Sequence, residues 1–300
     1  MTTDAFQALV NSGVVLLDGA TGSNLRKTGM PVGVSGELWA LEHPEPVLQL
    51  QRAYVRAGSR ILFAPTFTAN RAGLALHGLE ERLEELNTGL VALSKRAAAE
   101  SAGAPVYVAG DVTTTGRPLG ALSYEALFDI YAEQIGVLAA AGADLIVVET
   151  MMGIDETAAA LDAAHAMCDL PVMCSFSVES DGGLLFGGSI TDAVEVLQEM
   201  GASAVGVNCS AGPDQLEAVV RIMCGVSRVP VIAKPNAGMP VMDEHGAAHY
   251  GMTPERFVSA MQRLIACGAS IVGGCCGTDP SYIRALAAAL RLLPSSAKEQ

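Results

Sequence analysis

The sequence is poor in aromatic side chains and in positive charge. Its 300 residues include one Trp, 6 Tyr and 7 Phe, and 18 Lys and Arg stand against 32 Asp and Glu, for a formal net charge of −14. Nucleic acid and anionic membrane both call for a basic surface, so neither is expected as a partner. No apolar run approaches the ~18 residues of a membrane span. The start, Met1-Thr2-Thr3-Asp4-Ala5-Phe6, lacks the basic segment and apolar run of a secretory signal. The 7 cysteines are odd in number and lack the spacing of a disulfide scaffold, so they read as reduced thiols in a cytoplasmic protein.

Half of the residues are hydrophobic, rich in Ala, Gly, Val and Leu, which suits buried strands under packed helices. Four segments follow one plan: Ala57–Thr66, Ala141–Thr150, Met200–Cys209 and Cys267–Cys276. Each places a glycine (Gly58, Gly142, Gly201, Gly268) where a helix takes a left-handed C-terminal cap. A β-branched strand follows, with a polar or reactive residue at its end. Four more strand candidates are Val14–Asp18, Val106–Gly110, Val172–Phe176 and Val231–Lys234. Most are apolar on both faces, as parallel strands covered by helices are. Helical patterns lie at about 44–58, 80–102, 123–141, 154–167, 190–200, 213–227, 254–267 and 280–292. Pro44, Pro254 and Pro280 fall near helix starts.

Eight strand-then-helix units predict an α/β fold, a single (β/α)8 TIM barrel domain over residues 1–300. A doubly wound open sheet is the rival, but no Gly-x-Gly-x-x-Gly follows a first strand.

Barrel active sites form at the C-terminal strand ends. In order, those ends are Asp18-Gly19-Ala20, Pro65-Thr66, Gly110-Asp111, Glu149-Thr150, Ser175-Phe176-Ser177, Asn208-Cys209, Pro235-Asn236 and Cys275-Cys276. Cys209, Cys275 and Cys276 converge as ligands for Zn2+ with one tetrahedral position open, the mark of a catalytic site. The adjacent pair needs a sharp turn, for which Gly273, Gly274 and Gly277 are placed. The rival readings of Cys275-Cys276 are small core residues or a metal-free redox pair. Zinc deprotonates a bound thiol, and three thiolate ligands leave a fourth electron-rich, so the set fits thiol alkylation better than hydrolysis.

Asp18 and Glu149 suit the ammonium of an amino-acid substrate, in a mouth that otherwise offers little positive charge. A turn or cap before Gly19 is the alternative for Asp18. The amides of Gly19-Ala20-Thr21-Gly22 could receive a carboxylate. Asn208 either bonds substrate or holds its loop. Cys168, Cys174, Cys224 and Cys267 read as core, His245 and His249 as surface or lid residues, and Glu80–Glu85 as a solvated helix start.

Five segments carry a resemblance. Asp18-Gly19-Ala20-Thr21-Gly22, Val148-Glu149-Thr150, Val207–Pro213, Lys234–Pro240 and Gly273–Thr278 resemble, in order, the motifs of the zinc-dependent homocysteine S-methyltransferases. The resemblance implies a (β/α)8 barrel, zinc on the three cysteines, conversion of homocysteine to methionine, and Asp18 and Glu149 holding the amino acid. Thr66–Arg71 and Pro235–Gly238 look most like the homocysteine-binding module of cobalamin-dependent methionine synthase, in which methylcobalamin on another module is the donor. The 300 residues leave no room for a corrinoid or folate module, so the expected donor is methylcobalamin on a separate corrinoid protein. Alternatives are S-methylmethionine, betaine with Trp39 as the aromatic candidate, or a thiol-binding partner of a corrinoid protein without turnover.

Overall fold

The computed structural model describes residues 1–243 and 248–291. Ten strands occur among them: β1 (Val15–Leu16), β2 (Ile61–Phe63), β3 (Tyr107–Val112), β4 (Leu145–Met151), β5 (Val172–Phe176), β6 (Ala204–Asn208), β7 (Val231–Lys234), β8 (Pro240–Met242), β9 (Ala248–Tyr250) and β10 (Ala269–Val272). Eight of them form one parallel sheet in the order β1-β10-β7-β6-β5-β4-β3-β2. The parallel bridge between Leu17 and Ile61 brings its two edges together, giving the (β/α)8 barrel expected from the strand count. Strands β8 and β9 pair antiparallel as a hairpin after β7.

The helices are α1 (Thr3–Asn11), α2 (Gly22–Lys27), α3 (Gly36–Glu42), α4 (Pro44–Ala57), α5 (Arg71–Leu74), α6 (Leu83–Ala99), α7 (Tyr124–Ala140), α8 (Ile154–Met167), α9 (Ile190–Glu199), α10 (Glu217–Val226), α11 (Pro254–Ala266) and α12 (Pro280–Arg291). The prolines of α4, α11 and α12 open their helices, where a missing N–H costs nothing. The repeated glycines do what their spacing predicts: Gly58, Gly142, Gly201 and Gly268 have φ of 114°, 90°, 94° and 117°. None of the described helices is long and apolar enough to cross a membrane.

Alternation along the strands separates two apolar layers. Val15, Leu17, Ile61, Phe63, Ala109, Leu145, Val147, Met173, Ala204, Ile232 and Ile271 point into the barrel, where Phe6 and Leu9 of α1 join them. Their neighbours, among them Leu16, Leu62, Val108, Ile146, Val148 and Val205, pack outward on the helices. Apolar packing from α1 thus closes one end of the barrel interior and leaves the other end for polar groups.

The acidic stretch at 80–82 forms a 3-10 turn ahead of α6 rather than part of it. Helix α10 starts at Glu217, after a turn closed by Gln215 N donating to Gly212 O at 3.1 Å. Sequence periodicity missed α1, α2, α3, α5 and the β8–β9 hairpin, because each is short. His245 lies outside the described residues. His249 is on β9, exposed, with its Nε2 2.7 Å from Asp243 Oδ2.

Candidate metal centre

Two loops build the centre, one after β6 and one after β10. Cys209 follows β6 with φ 63°, a left-handed conformation unfavourable for a side chain bearing Cβ. It is held there from two sides: its N–H donates to Lys234 O at 3.3 Å, and its carbonyl accepts from Asn236 Nδ2. The other loop is tied to the same strand, Cys275 N donating to Pro235 O at 2.7 Å and Ala237 N to Cys276 O at 2.9 Å. The chain beyond β7 therefore clamps both cysteine loops.

The glycines of this loop act differently from one another. Gly277 has φ 82°, and a Cβ there would lie 2.3 Å from Tyr250 Cγ. Gly273 and Gly274 are needed for close approach, since Cβ atoms on them would fall 2.7 Å from Leu17 Cβ and 2.5 Å from Thr278 Oγ1. Tyr250, at the end of β9, packs on Gly277 beside the Cys276 thiol, and burial together with that thiol's charge raises the tyrosine's pKa. Nothing in the sequence marks that contact, because the hairpin that carries it is not periodic.

The three sulfurs lie within 4.8 Å of one another, and Cys209 Sγ is 3.7 Å from Cys276 Sγ. Tetrahedral zinc with Zn–S bonds near 2.3 Å sets its sulfurs about 3.8 Å apart, so the residues present fit that metal. All seven cysteines are free. The thiols also press on one another electrostatically: contacts with Cys209 and Cys275 favour the thiolate at Cys276, and contacts with Cys275 and Cys276 push Cys209 upward. A bound cation is what lets all three ionise together.

The sulfurs open on a cavity of about 440 Å3 lined also by Gly19–Ser23, Leu25, Met30, Phe63, Phe67, Asp111, Glu149 and Lys234. Glu149, 6% exposed, faces it from the end of β4. Burial pushes its carboxyl up to about 7 against the opposing pull of Lys234. Asp18 is 1% exposed and lies behind the wall rather than in it. Its Oδ2 accepts from Phe63 N at 2.8 Å, its Oδ1 is left without a hydrogen bond, and burial raises it to about 7.

Asn208 is fully buried and wholly engaged inside the protein. Its Nδ2 donates to Glu149 Oε2 at 3.1 Å and Thr150 Oγ1 at 2.7 Å, while its Oδ1 accepts from Thr150 N at 2.8 Å and Ser175 Oγ at 2.9 Å. Of the two sequence readings, the geometry favours the one in which Asn208 holds the loop. It fixes Glu149 and pins Thr150 at φ 60°. Gly19 lines the cavity with no space for a side chain, since a Cβ there would lie 2.6 Å from the Tyr54 hydroxyl. Trp39 stacks on His43, with ring centroids 4.5 Å apart, and is not part of the lining.

Sequence reasoning passed over three charged residues of the lining, Glu37, Lys234 and Asp111. Lys234 ends β7 at 4% exposure, its Nζ 3.9 Å from both Asp18 Oδ1 and Glu149 Oε2 and 4.7 Å above the Phe63 ring. Burial alone would lower its pKa; the charges of Glu149, Cys275, Asp18 and Asp111 overcome that and raise it. Asp111, 5% exposed, is pushed well above the usual carboxylate range by burial and by Glu149. The signal for Asp111 was its place at the end of β3, among the strand ends already singled out.

The sequence profile of the family described as homocysteine S-methyltransferase matches residues 15–290. Methionine synthase of Mycobacterium tuberculosis (strain ATCC 25618 / H37Rv) is 32% identical over 294 residues, 92% of this chain and 24% of the relative. Methionine synthase of Mycobacterium leprae (strain TN) is 31% identical over 96% of this chain and 25% of its own length. The chain thus spans about a quarter of these relatives. The metallated form of the Escherichia coli homocysteine methyltransferase MmuM superposes with a TM-score of 0.80 at 26% identity, covering 95% of this chain and 99% of that one. Its oxidized form gives 0.81 at 27% identity, again over 95% and 99% of the two chains. A barrel of eight parallel strands, three cysteines gathered at its mouth and a profile match over nearly the whole chain lead to one conclusion: the protein belongs to the homocysteine S-methyltransferase family.

Proposed function

We propose that this chain is a zinc-dependent homocysteine S-methyltransferase forming methionine, a single homocysteine-binding barrel that takes its methyl group from a methylated corrinoid protein. The observation that carries the reading is the set of three sulfurs within 4.8 Å at the cavity wall. Cys209, Cys275 and Cys276 would hold Zn2+, which when bound supplies an environment that keeps a substrate thiol ionised at neutral pH.

The chain's own residues do the rest. Glu149, fixed by Asn208, faces the amino-acid ammonium, and Asp18 adds negative field from behind the wall. Leu25, Met30, Phe63 and Phe67 make the remaining wall apolar, which keeps water from the methyl group. The homocysteine sulfur then forms its bond to the methyl carbon as the donor–methyl bond breaks in line. An ionised sulfur needs no general base, and the donor departs with the electron pair of the broken bond.

A protein donor is supported by the rim. Val32, Leu119, Leu185, Met239, Val241 and Met242 are 86%, 65%, 58%, 52%, 68% and 60% exposed, all in segments that follow β1, β3, β5 or β7 toward the mouth. Apolar residues concentrated around a site mark a contact surface. The likeness to MmuM over 95% of this chain and 99% of that one favours a second reading, in which the barrel takes a small donor such as S-methylmethionine or betaine.

The test is methionine formation by zinc-loaded protein from homocysteine with methylcobalamin, S-methylmethionine or betaine, followed by mass spectrometry. Turnover with methylcobalamin alone is expected. Turnover with a small donor alone selects the second reading. Homocysteine binding with no methionine from any donor would leave a thiol-binding partner and overturn catalysis.

A further inference from the structure

A second cavity, of about 570 Å3, lies at the far end of the barrel from the sulfurs. Its floor is the chain entering β2 and β3, at Ser59, Arg60 and Val106, and its walls are the last turns of α4, α6 and α12. Four arginines line it, Arg52, Arg56, Arg60 and Arg291, against one acid, Glu100. In a chain with 18 basic and 32 acidic residues, that reverses the overall balance.

The arginines differ in how far they are engaged. Arg52 Nε and Nη2 donate to Glu100 Oε2 and Oε1, both at 2.7 Å, and Arg60 Nε donates to Pro105 O at 3.0 Å. Arg56 and Arg291 make no hydrogen bond or ion pair with any described residue. The amides of Ala102, Gly103 and Ala104, in the lining loop between α6 and β3, donate to no described group. Glu100 is already claimed: its hydrogen bond from Arg52, with the charges of Arg52, Arg96 and Arg56, holds its carboxyl below the usual range. A surplus of positive charge is left facing the cavity.

Arginine in the last turn of a helix ordinarily complements the macrodipole. That accounts neither for the grouping nor for Arg60, which stands just ahead of β2. The last turns of α7, α9 and α10 carry no basic residue, whereas α4, α6 and α12 end with Arg56, Arg96 and Arg291. Helix α4 packs against both α6 and α12, so those three ends meet. Guanidinium groups stay charged at any working pH and match phosphate oxygens in pairs.

We propose that this cavity binds a phosphate-bearing small molecule through a diphosphate group, Arg56 and Arg291 each taking one phosphoryl unit and the loop amides completing the shell. Arg52 and Arg60, fixed by Glu100 and by Pro105 O, supply the surrounding field. The site is separate from the metal centre and does not depend on the homocysteine reading.

The experiment is calorimetric titration of the full chain with pyrophosphate, orthophosphate or sulfate at one fixed ionic strength. Pyrophosphate should bind at one site per chain, at least about 10-fold tighter than either smaller anion, as a further set of charge-assisted hydrogen bonds gives. Arg56→Gln/Arg291→Gln should weaken pyrophosphate by about 10- to 100-fold. Arg228→Gln, which removes an exposed arginine paired with Glu199 elsewhere on the surface, should leave it within about twofold. Both cavity arginines are exposed, so thermal unfolding without ligand should match the wild type; the single variant Arg56→Gln carries the same test if the double does not fold. Equal, weak association of all three anions would mean unspecific counterion binding and overturn the site. So would a pyrophosphate affinity that the cavity substitutions leave unchanged.

Discussion

The two ends of the barrel are made from the same strands yet obey opposite rules. Inside the lower end, Val15, Ile61, Ala109, Leu145, Met173, Ala204, Ile232 and Ile271 pack with Phe6 and Leu9 of α1 in one apolar cluster. A few residues further along those strands, Asp18, Asp111, Glu149 and Lys234 are just as inaccessible, and Asp18 and Asp111 each keep an oxygen without a partner. Two non-glycine residues with left-handed backbone, Thr150 and Cys209, also lie at the upper end. Where the chain serves only stability its local choices agree with one another, and where it serves a ligand they conflict.

That contrast can be broken from either side. The largest effect on stability should come from the lower end: Phe6→Ala empties a fully buried ring position and should cost about 3–5 kcal/mol. Urea unfolding measures it, and homocysteine affinity of the folded fraction should barely move. At the upper end, Asn208→Ala strips a partner from Thr150 N, Ser175 Oγ and Glu149 at once. It should cost about 1–3 kcal/mol of stability and also weaken homocysteine binding, because Glu149 is no longer fixed. Equal effects of the two substitutions on binding would erase the distinction between the ends.

The smallest effect is a pH dependence. Glu149, pushed up to about 7 by burial, must lose its proton to attract an ammonium. Homocysteine binding should therefore tighten as pH rises through 7, beyond the tightening that thiol ionisation gives, and Glu149→Gln should remove that portion. For the folded protein without ligand the sign is reversed. A carboxyl raised above its unfolded value of 4.5 binds its proton more tightly when folded, so its contribution favours the fold below that value and is lost as pH climbs toward 7.

The same contrast explains what could be read from the chain. The barrel was legible because its strands end helices at capping glycines, and because β-branched runs buried on both faces have few other uses. Cys209, Cys275 and Cys276 were legible because thiols at equivalent strand ends are chemically particular. Lys234 was overlooked because a lysine closing a strand usually turns to solvent, and only the closed barrel shows it folded inward over Phe63. Asp111 stood among the strand ends without being counted as a site carboxylate. Asn208 was placed at the site but left between two roles, and its four internal hydrogen bonds favour the one in which it holds the loop. Tyr250 belongs to a hairpin whose contact with Gly277 joins positions 27 residues apart through packing alone.

The central claim, a thiol-methylating centre on three cysteines, is tested most directly by zinc content. Protein purified under reductant without chelator, and its Cys209→Ser variant, would be compared by elemental analysis. The account predicts close to one zinc per wild-type chain and a large loss of it in the variant. Wild-type protein that carries no zinc and takes up none on reconstitution would contradict it.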